Sequence, residues 1–250
     1  MDKVNFWNDR ASKENPGSDD FLLKHIEQLY IINHIPQKAK VLDIGCGDGT
    51  TLLKIAEEKE IEGVGMDFAS SMIKKAKNNN LGHFNIKFIE GSVLHLPTQQ
   101  NIGLFDVIYT QRCLINLNSF QEQAEAIKKI SNLLKDGGIY IMVESTHDGL
   151  DRINELRLCL NLEAISPPWH NTFFRIREVE ELQKANFKIV SFSHLSSTYN
   201  FLSRCIYAKL AQQRNEKLKY DSEINRLSLL LPQEIGDFGP VKGWIWKKEG

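Results

Sequence analysis

The chain has 250 residues, with 31 Lys and Arg against 32 Asp and Glu for a formal net charge of −1, and 42% of its residues are hydrophobic. That balance excludes a disordered, collagen-like or low-complexity chain, and the near-neutral charge argues against nucleic acid as a partner. No stretch approaches the ~20 consecutive apolar residues that span a bilayer, and the N-terminus has no apolar run of the signal-peptide kind. The cysteines Cys46, Cys113, Cys159 and Cys205 include no C-x-x-C pair, so we expect a reduced cytoplasmic protein of one domain, with buried thiols and no structural zinc.

In chain order, Asn5-Phe6-Trp7-Asn8-Asp9-Arg10 places aromatics beside a cation, ahead of a turn at Asn15-Pro16-Gly17. Strands are expected at Val41–Ile44, Ile61–Met66, Ile86–Ile89, Leu104–Thr110 and Ile139–Val143. Helical periodicity lies between them at Thr51–Lys59, Ser70–Asn80 and Phe120–Leu134, with Gly137 and Gly138 read as the stop of the last helix. Continuous apolar runs alternating with helices imply a parallel sheet covered on both faces, with ligands bound beyond the carboxyl ends of its strands. Phe187–Phe192 and Val241–Lys247 read as two more strands, separated by helical stretches at Tyr199–Lys209 and Asp221–Leu231. The roughly forty intervening residues are too many for a hairpin and read as an inserted helical cover.

The turn after the first strand, Leu42-Asp43-Ile44-Gly45-Cys46-Gly47-Asp48-Gly49, lets the backbone approach a ligand closely. It lacks the Gly-Lys-Ser/Thr of a P-loop, and its spacing is G-x-G-x-G rather than G-x-G-x-x-G. Asp43 and Asp48 would repel a pyrophosphate and suit a ligand carrying an ammonium and a sulfonium. Asp67 ends the second strand 20 residues beyond Gly47, where an acid can accept both hydroxyls of a ribose; it could equally serve the start of the helix that follows.

The ordered set VLDIGCGDGTTL, GVGMDFASSMI, IKFIEGSVLHLP, FDVIYTQRCL and LLKDGGIYIMVE, spanning about Lys40 to Glu144, resembles the class I S-adenosylmethionine-dependent methyltransferases. Asp148-Gly149-Leu150, Pro168-Trp169-His170-Asn171 and Gly239-Pro240-Val241-Lys242 resemble a subgroup associated with bacterial surface-glycan gene clusters. The resemblance implies an α/β, three-layer Rossmann-like sandwich with a seven-stranded, mostly parallel sheet and an antiparallel last strand. It implies one methyltransferase domain over 1–250, with a cap or lid at 1–38, a cofactor-binding core at 40–145 and a helical insertion over the acceptor at 196–238.

S-adenosyl-L-methionine is the implied cofactor and S-adenosyl-L-homocysteine the product. By the same resemblance Gly45, Cys46 and Gly47 pack on its methionine part while Asp43 orients the loop and the ammonium. Asp67 holds the ribose, and Phe68 and Met72 flank the adenine. The acid usual after the third strand is replaced by Gly91-Ser92-Val93, leaving the Ser92 hydroxyl and the Val93 amide for the adenine edge. Gln111 faces the methionine amine, and Trp7 and Arg10 belong to a lid.

Methyl transfer from a sulfonium requires alignment and a partly desolvated nucleophile, and a hydroxyl acceptor also needs a base or a metal. His170, His147 and Glu144 are the candidate catalytic groups, with no metal cluster of ligand spacing beside them. Arg112, Trp169, Asn171, Arg175, Tyr199 and Arg204 are candidate acceptor contacts, Arg112 and Arg175 as forks for a phosphate. The expected activity is O-methylation of a sugar, nucleotide-linked or phosphorylated small molecule in surface polysaccharide synthesis, by a monomer or homodimer. Methylation of nitrogen or carbon on another metabolite, such as a lipid quinone precursor, and a non-catalytic binding module are the alternatives.

Overall fold

The computed structural model describes residues 2–183 and 187–250. Two helices, α1 (Lys3–Arg10) and α2 (Phe21–Asn33), precede an alternating core of β1 (Lys40–Ile44), α3 (Thr50–Glu58), β2 (Glu62–Asp67), α4 (Ser70–Asn79) and β3 (Ile86–Glu90). The core continues through α5 (Gln99–Ile102), β4 (Phe105–Gln111), α6 (Phe120–Leu133) and β5 (Leu134–Ser145). Beyond it come α7 (His147–Cys159), α8 (Ile176–Gln183) and β6 (Phe187–Ser193). The stretch before the last strand holds α9 (Ser197–Asn200), a π-helical turn (Phe201–Tyr207), α10 (Ala208–Arg214) and α11 (Glu223–Ser228), and β7 (Val241–Lys248) closes the chain.

The strands form one seven-stranded sheet in the order β3-β2-β1-β4-β5-β7-β6. Neighbours from β3 to β5 pair in parallel, and β7 runs antiparallel between β5 and β6. This is the α/β sandwich expected, with the antiparallel last strand. Alternation along each strand sends side chains into two cores. Val41, Val107, Tyr109, Ile141 and Ile245 face the side covered by Leu23 and Ile31 of α2 and Leu52 of α3. Leu42, Ile108, Tyr140, Met142, Trp244 and Trp246 face the side covered by Ala126, Ile127 and Ile130 of α6.

Caps set the helix boundaries. Asp20, Ser119 and Thr146 each accept a backbone N–H from the first turn of α2, α6 and α7. Helix α4 starts at Ala69, which has no such side chain, and Asn8 of α1 substitutes by accepting the Ser71 N–H at 3.0 Å. The N-terminal helix is thereby fastened to the first turn of α4.

Three expectations need correction. Helix α6 ends at Leu133, and Leu134 already pairs with Phe105, so Gly137 is not a helix stop. It sits at φ +74° in a bulge where the register shifts from Phe105–Leu134 to Val107–Ile139. The expected helices did not include α7, whose first turn is the polar stretch after β5. Cys159 is exposed, whereas Cys46 and Cys205 are buried.

Lys242 lies on the tryptophan-bearing face of β7 and is 1% exposed. Its Nζ stands 2.9 Å from His194 Nδ1 and donates to the Asp237 carbonyl at 3.1 Å. Burial pushes its pKa down to about 8, against the opposing pull of Asp237 and Asp148. The unfolded chain therefore binds more protons than the folded one between about pH 8 and the usual lysine range near 10.5, and stability rises with pH across that window. Denaturant unfolding of the wild type at stepped pH should show that rise, and Lys242→Met should abolish it while being more stable than the wild type at pH 7.

Candidate active site

A cavity of about 110 Å³ lies beyond the carboxyl ends of β1, β2 and β4, lined by Gly45, Cys46, Gly47, Asp48, Asp67, Phe68, Met72 and Gln111, and closed from the side by Trp7. Gly45 is at φ +78°, and a Cβ there would stand 2.5 Å from Cys113 Sγ, so no other residue lets this loop cross the end of β4. Asp67 accepts the Gly47 N–H and the Ala69 N–H, each at 2.9 Å, one on each oxygen. Each oxygen keeps a lone pair for a further donor. Burial raises the Asp67 pKa against those backbone bonds.

Behind the loop Asp43 is buried and accepts the Tyr109 hydroxyl at 2.7 Å. Burial, with Asp67 and Asp48 nearby, pushes its pKa up to about 8. Lys24 approaches Asp48 at 3.7 Å, and its own pKa is lowered by burial. Asp43 is thus largely protonated at pH 7 and Asp48 has Lys24 opposite, while Asp67 has no ion-pair partner among the described residues, an arrangement that fits a ligand bearing positive charge. With two carboxylate lone pairs, an apolar wall of Phe68 and Met72 and an acidic turn, the residues present fit S-adenosylmethionine.

The end of β4 is wired to α2 and α3. Thr51 Oγ1 donates to Gln111 Oε1 at 2.8 Å, Gln111 Nε2 donates to Glu27 Oε2 at 2.7 Å, and Arg112 Nε stands 3.0 Å from the same oxygen as an ion pair. Glu27 is fully buried, which raises its pKa, with Arg112 opposing. Arg112 itself holds φ +50°, a conformation unfavourable for a side chain with a Cβ. The turn is pinned by Glu144, whose oxygens accept the N–H groups of Cys113, Leu114 and Ile115 at 3.1, 2.9 and 3.3 Å.

Arg112 also lines two further cavities. The larger, about 530 Å³, is bounded by Asp20, Arg157, Asn171, Ser203, Arg204, Tyr207 and Tyr220 among polar groups, and by Leu23, Ile115, Ile153 and Phe173 among apolar ones. The smaller, about 160 Å³, is bounded by Phe6, Trp7, Arg10, Asn116 and His170. His170 packs against Phe6, Trp7 and Trp169 with ring centroids 4.6, 5.5 and 5.4 Å away. Its Nδ1 and the Trp7 Nε1 are buried without a hydrogen-bond partner. Burial, then Lys3 and Arg10, lower the His170 pKa, so the ring is neutral at pH 7.

The structure therefore gathers Gly45, Cys46, Gly47, Asp67, Phe68, Met72, Gln111 and Trp7 around one cavity, and Arg112, Asn171 and Arg204 around its neighbour. Other expectations are corrected. Glu144 is 0% exposed and spends itself on backbone N–H groups, so it positions the turn rather than reaching an acceptor. His147 packs on Phe173 and lines none of the three cavities. Arg175 forms a surface ion pair with Asp151, and Tyr199 is buried with its hydroxyl on Asp20. Trp169 is 56% exposed and edges onto Phe6. The Ser92 hydroxyl caps a short 3-10 turn by accepting the Leu94 N–H, and neither Ser92, Val93 nor Asp43 lines the first cavity; the expectations for the Val93 amide and for Asp43 behind the loop do not require it. Arg10 is held by the Pro16 carbonyl and Asp19 and reaches the smaller cavity only.

The reading from sequence missed Glu27, Arg157 and Ser203. Glu27 had a signal: it stands four residues from both Leu23 and Ile31, an acid inside an apolar stripe.

Residues 35–216 match a family of methyltransferase domains. The chain belongs to that family, and S-adenosylmethionine is the cofactor its membership supports. A demethylmenaquinone methyltransferase of Staphylococcus aureus is 26% identical over 151 residues, which cover 59% of this chain. The chain spans only 60% of the length of the curated relatives it matches. Among solved structures, the N-methyltransferase NodS from Bradyrhizobium japonicum, in complex with S-adenosyl-L-homocysteine, covers both chains fully with a TM-score of 0.66 at 12% identity. Magnesium protoporphyrin IX methyltransferase from Synechocystis has a TM-score of 0.56 at 13% identity, over 92% of this chain and 83% of its own. These two share the fold. Among the described residues no helix is long and apolar enough to cross a membrane.

Two outcomes test this geometry. Asp67→Asn should weaken S-adenosylmethionine binding by about 10- to 100-fold, as expected for hydrogen bonds to a charged group, read by titration calorimetry. Glu144→Ala should cost about 3 kcal/mol or more of folding stability, because it orphans buried N–H groups, read by denaturant unfolding.

Proposed function

We propose that the protein transfers the methyl group of S-adenosylmethionine to an oxygen of a small polar acceptor lodged in the larger cavity. The observation that carries this reading is the junction at Arg112, where a cavity shaped by the glycine loop and Asp67 adjoins one walled by hydroxyls, amides and guanidinium groups. Such a wall suits a hydroxylated molecule, and a sugar, nucleotide-linked sugar or phosphorylated intermediate of bacterial surface polysaccharide synthesis is the class we favour. Residues 1–38 act as the cap over the cofactor, and 196–238 as the cover of the acceptor, since Trp7 lines the first cavity and Ser203, Arg204 and Tyr220 the second.

His170 is the proton acceptor in this reading. It is neutral at pH 7, has an unpartnered ring nitrogen and lines the smaller cavity, which shares Arg112, Ile115 and Asn171 with the larger one. A second reading rests on the apolar part of the larger cavity, Leu23, Ile115, Leu150, Ile153 and Phe173, which would suit a quinone-like carbon acceptor of the kind named in the Staphylococcus relatives.

Incubation with S-adenosylmethionine and a panel of nucleotide-linked sugars, phosphoramidates and quinone precursors, followed by mass spectrometry, should show a gain of one methylene on an oxygen. Transfer to a ring carbon would favour the second reading, and no product from any member would sink both. With an oxygen acceptor, kcat/KM should rise with pH through a pKa below the usual histidine value of 6.5. His170→Gln should flatten that limb and lower kcat by roughly 100-fold or more.

A further inference from the structure

We infer that the larger cavity contains an oxyanion subsite, formed by Arg157, Ser203 and Arg204, that takes a phosphoryl or carboxylate group of the acceptor. The inference rests on the acceptor reading above and adds the charge that the acceptor carries. Arg157, on α7, is 9% exposed and lines the cavity. Its Nε donates to the Glu163 carbonyl at 2.8 Å and its Nη1 to the Arg204 carbonyl. Both partners are neutral; the Glu163 carboxylate acts on this guanidinium only from farther away, and among the described residues no carboxylate lies within ion-pair distance of it. Taking a cation out of water without a counterion is costly, and a ligand anion in the cavity would supply the missing charge.

Ser203 stands on the π-helical turn, an element frequent at functional sites. It is 1% exposed, and its Oγ is buried with no hydrogen-bond partner while the residue lines the same cavity. A hydroxyl without a partner and a cation without a carboxylate partner on the wall of one cavity are two donors suited to an anionic group of its ligand. Arg204, next in sequence, is held by Asp20 and lies over the Tyr220 ring, 5.4 Å from its centroid, so its guanidinium is already oriented. The acids of the wall leave Arg157 without a carboxylate partner: Asp20 is taken by Arg204 and the Tyr199 hydroxyl, and Asp19 by Arg10, so Arg157 carries the charge of the subsite that is not answered. Lys219 adds a further positive charge at the wall. One buried acceptor atom, Asn225 Oδ1, also lacks a partner there and suits a hydroxyl of the same molecule.

The test uses the full chain with inorganic phosphate as probe. At matched ionic strength, the unfolding temperature should rise in phosphate relative to chloride. Arg157→Met should weaken the phosphate affinity derived from that rise by about 10-fold or more, and Ser203→Ala, a change small enough to leave folding intact, by about threefold. Methyl phosphate and acetate run in parallel separate a phosphoryl from a carboxylate preference. Phosphate-dependent shifts equal to wild type in both variants would overturn the subsite. Calorimetry with S-adenosylmethionine keeps the two readings apart: both variants should bind it as the wild type does. A wild type that binds phosphate through Arg157 but not the cofactor would keep the subsite and defeat the methyl-transfer reading.

Discussion

Both cavities depend on a turn held by one buried carboxylate. Glu144, at the carboxyl end of β5, accepts three successive N–H groups of the chain leaving β4. Those groups are turned inward, where each would cost about 1–3 kcal/mol if left without a partner. A neutral side chain of similar size offers too few acceptors for all of them. The carboxylate pays its own desolvation, and burial outweighs the three bonds enough to push its pKa up to about 7. The fold tolerates the cost because the turn sets everything downstream of it. With Cys113 to Ile115 fixed, Arg112 is forced to φ +50°, its guanidinium meets Glu27, and Cys113 closes against Gly45. Removing the acid would release the strained residue that lines both the cavity at the glycine loop and the larger one beside it.

How much of this was legible in the sequence follows from the physics of each element. The parallel strands were legible because strands covered on both faces are apolar along nearly their whole length, as Ile139–Val143 is and as Val41–Ile44 is but for Asp43. The glycine loop was legible because it needs backbone shapes few residues allow. Helix α7 was not, since its first turn, His147-Asp148-Gly149, is polar and contains a glycine, and only the Thr146 cap betrays a helix start. Gly137 has the same identity in a bulge as in a helix stop, and only the partner strand decides between them.

The site followed the same rule. Residues whose role is local to one turn, such as Gly45, Gly47 and Asp67, could be placed from spacing. Residues whose role depends on a distant partner could not. Tyr199 looked like a contact from above the acceptor, yet its hydroxyl is bound to Asp20, 179 residues away in sequence. Arg175 looked like a phosphate fork, yet it meets Asp151 at the surface. Arg157 carried no signal at all, because an arginine in a polar helix is ordinarily solvated, and only the packing of Glu163 and Arg204 around it shows otherwise.

The two cavities also differ in electrostatic sign. Around the glycine loop Asp43, Asp48 and Asp67 crowd together, and burial with mutual repulsion raises the pKa of Asp43. Around the larger cavity guanidinium groups exceed their carboxylate partners. Neither excess is stable by itself in a low-dielectric interior. A cationic cofactor would answer the first and, as proposed, an anionic acceptor the second, so each ligand would lower the charge penalty of the wall it touches. Arg112 stands at the boundary, with its charge answered by Glu27 and not by either ligand. That pairing keeps the boundary near neutral, so ligands of opposite charge on its two sides would attract across it instead of each being captured by the residue between them. Alignment of a nucleophile with a sulfonium is the main demand of methyl transfer, and this division of charge would favour it before any proton moves.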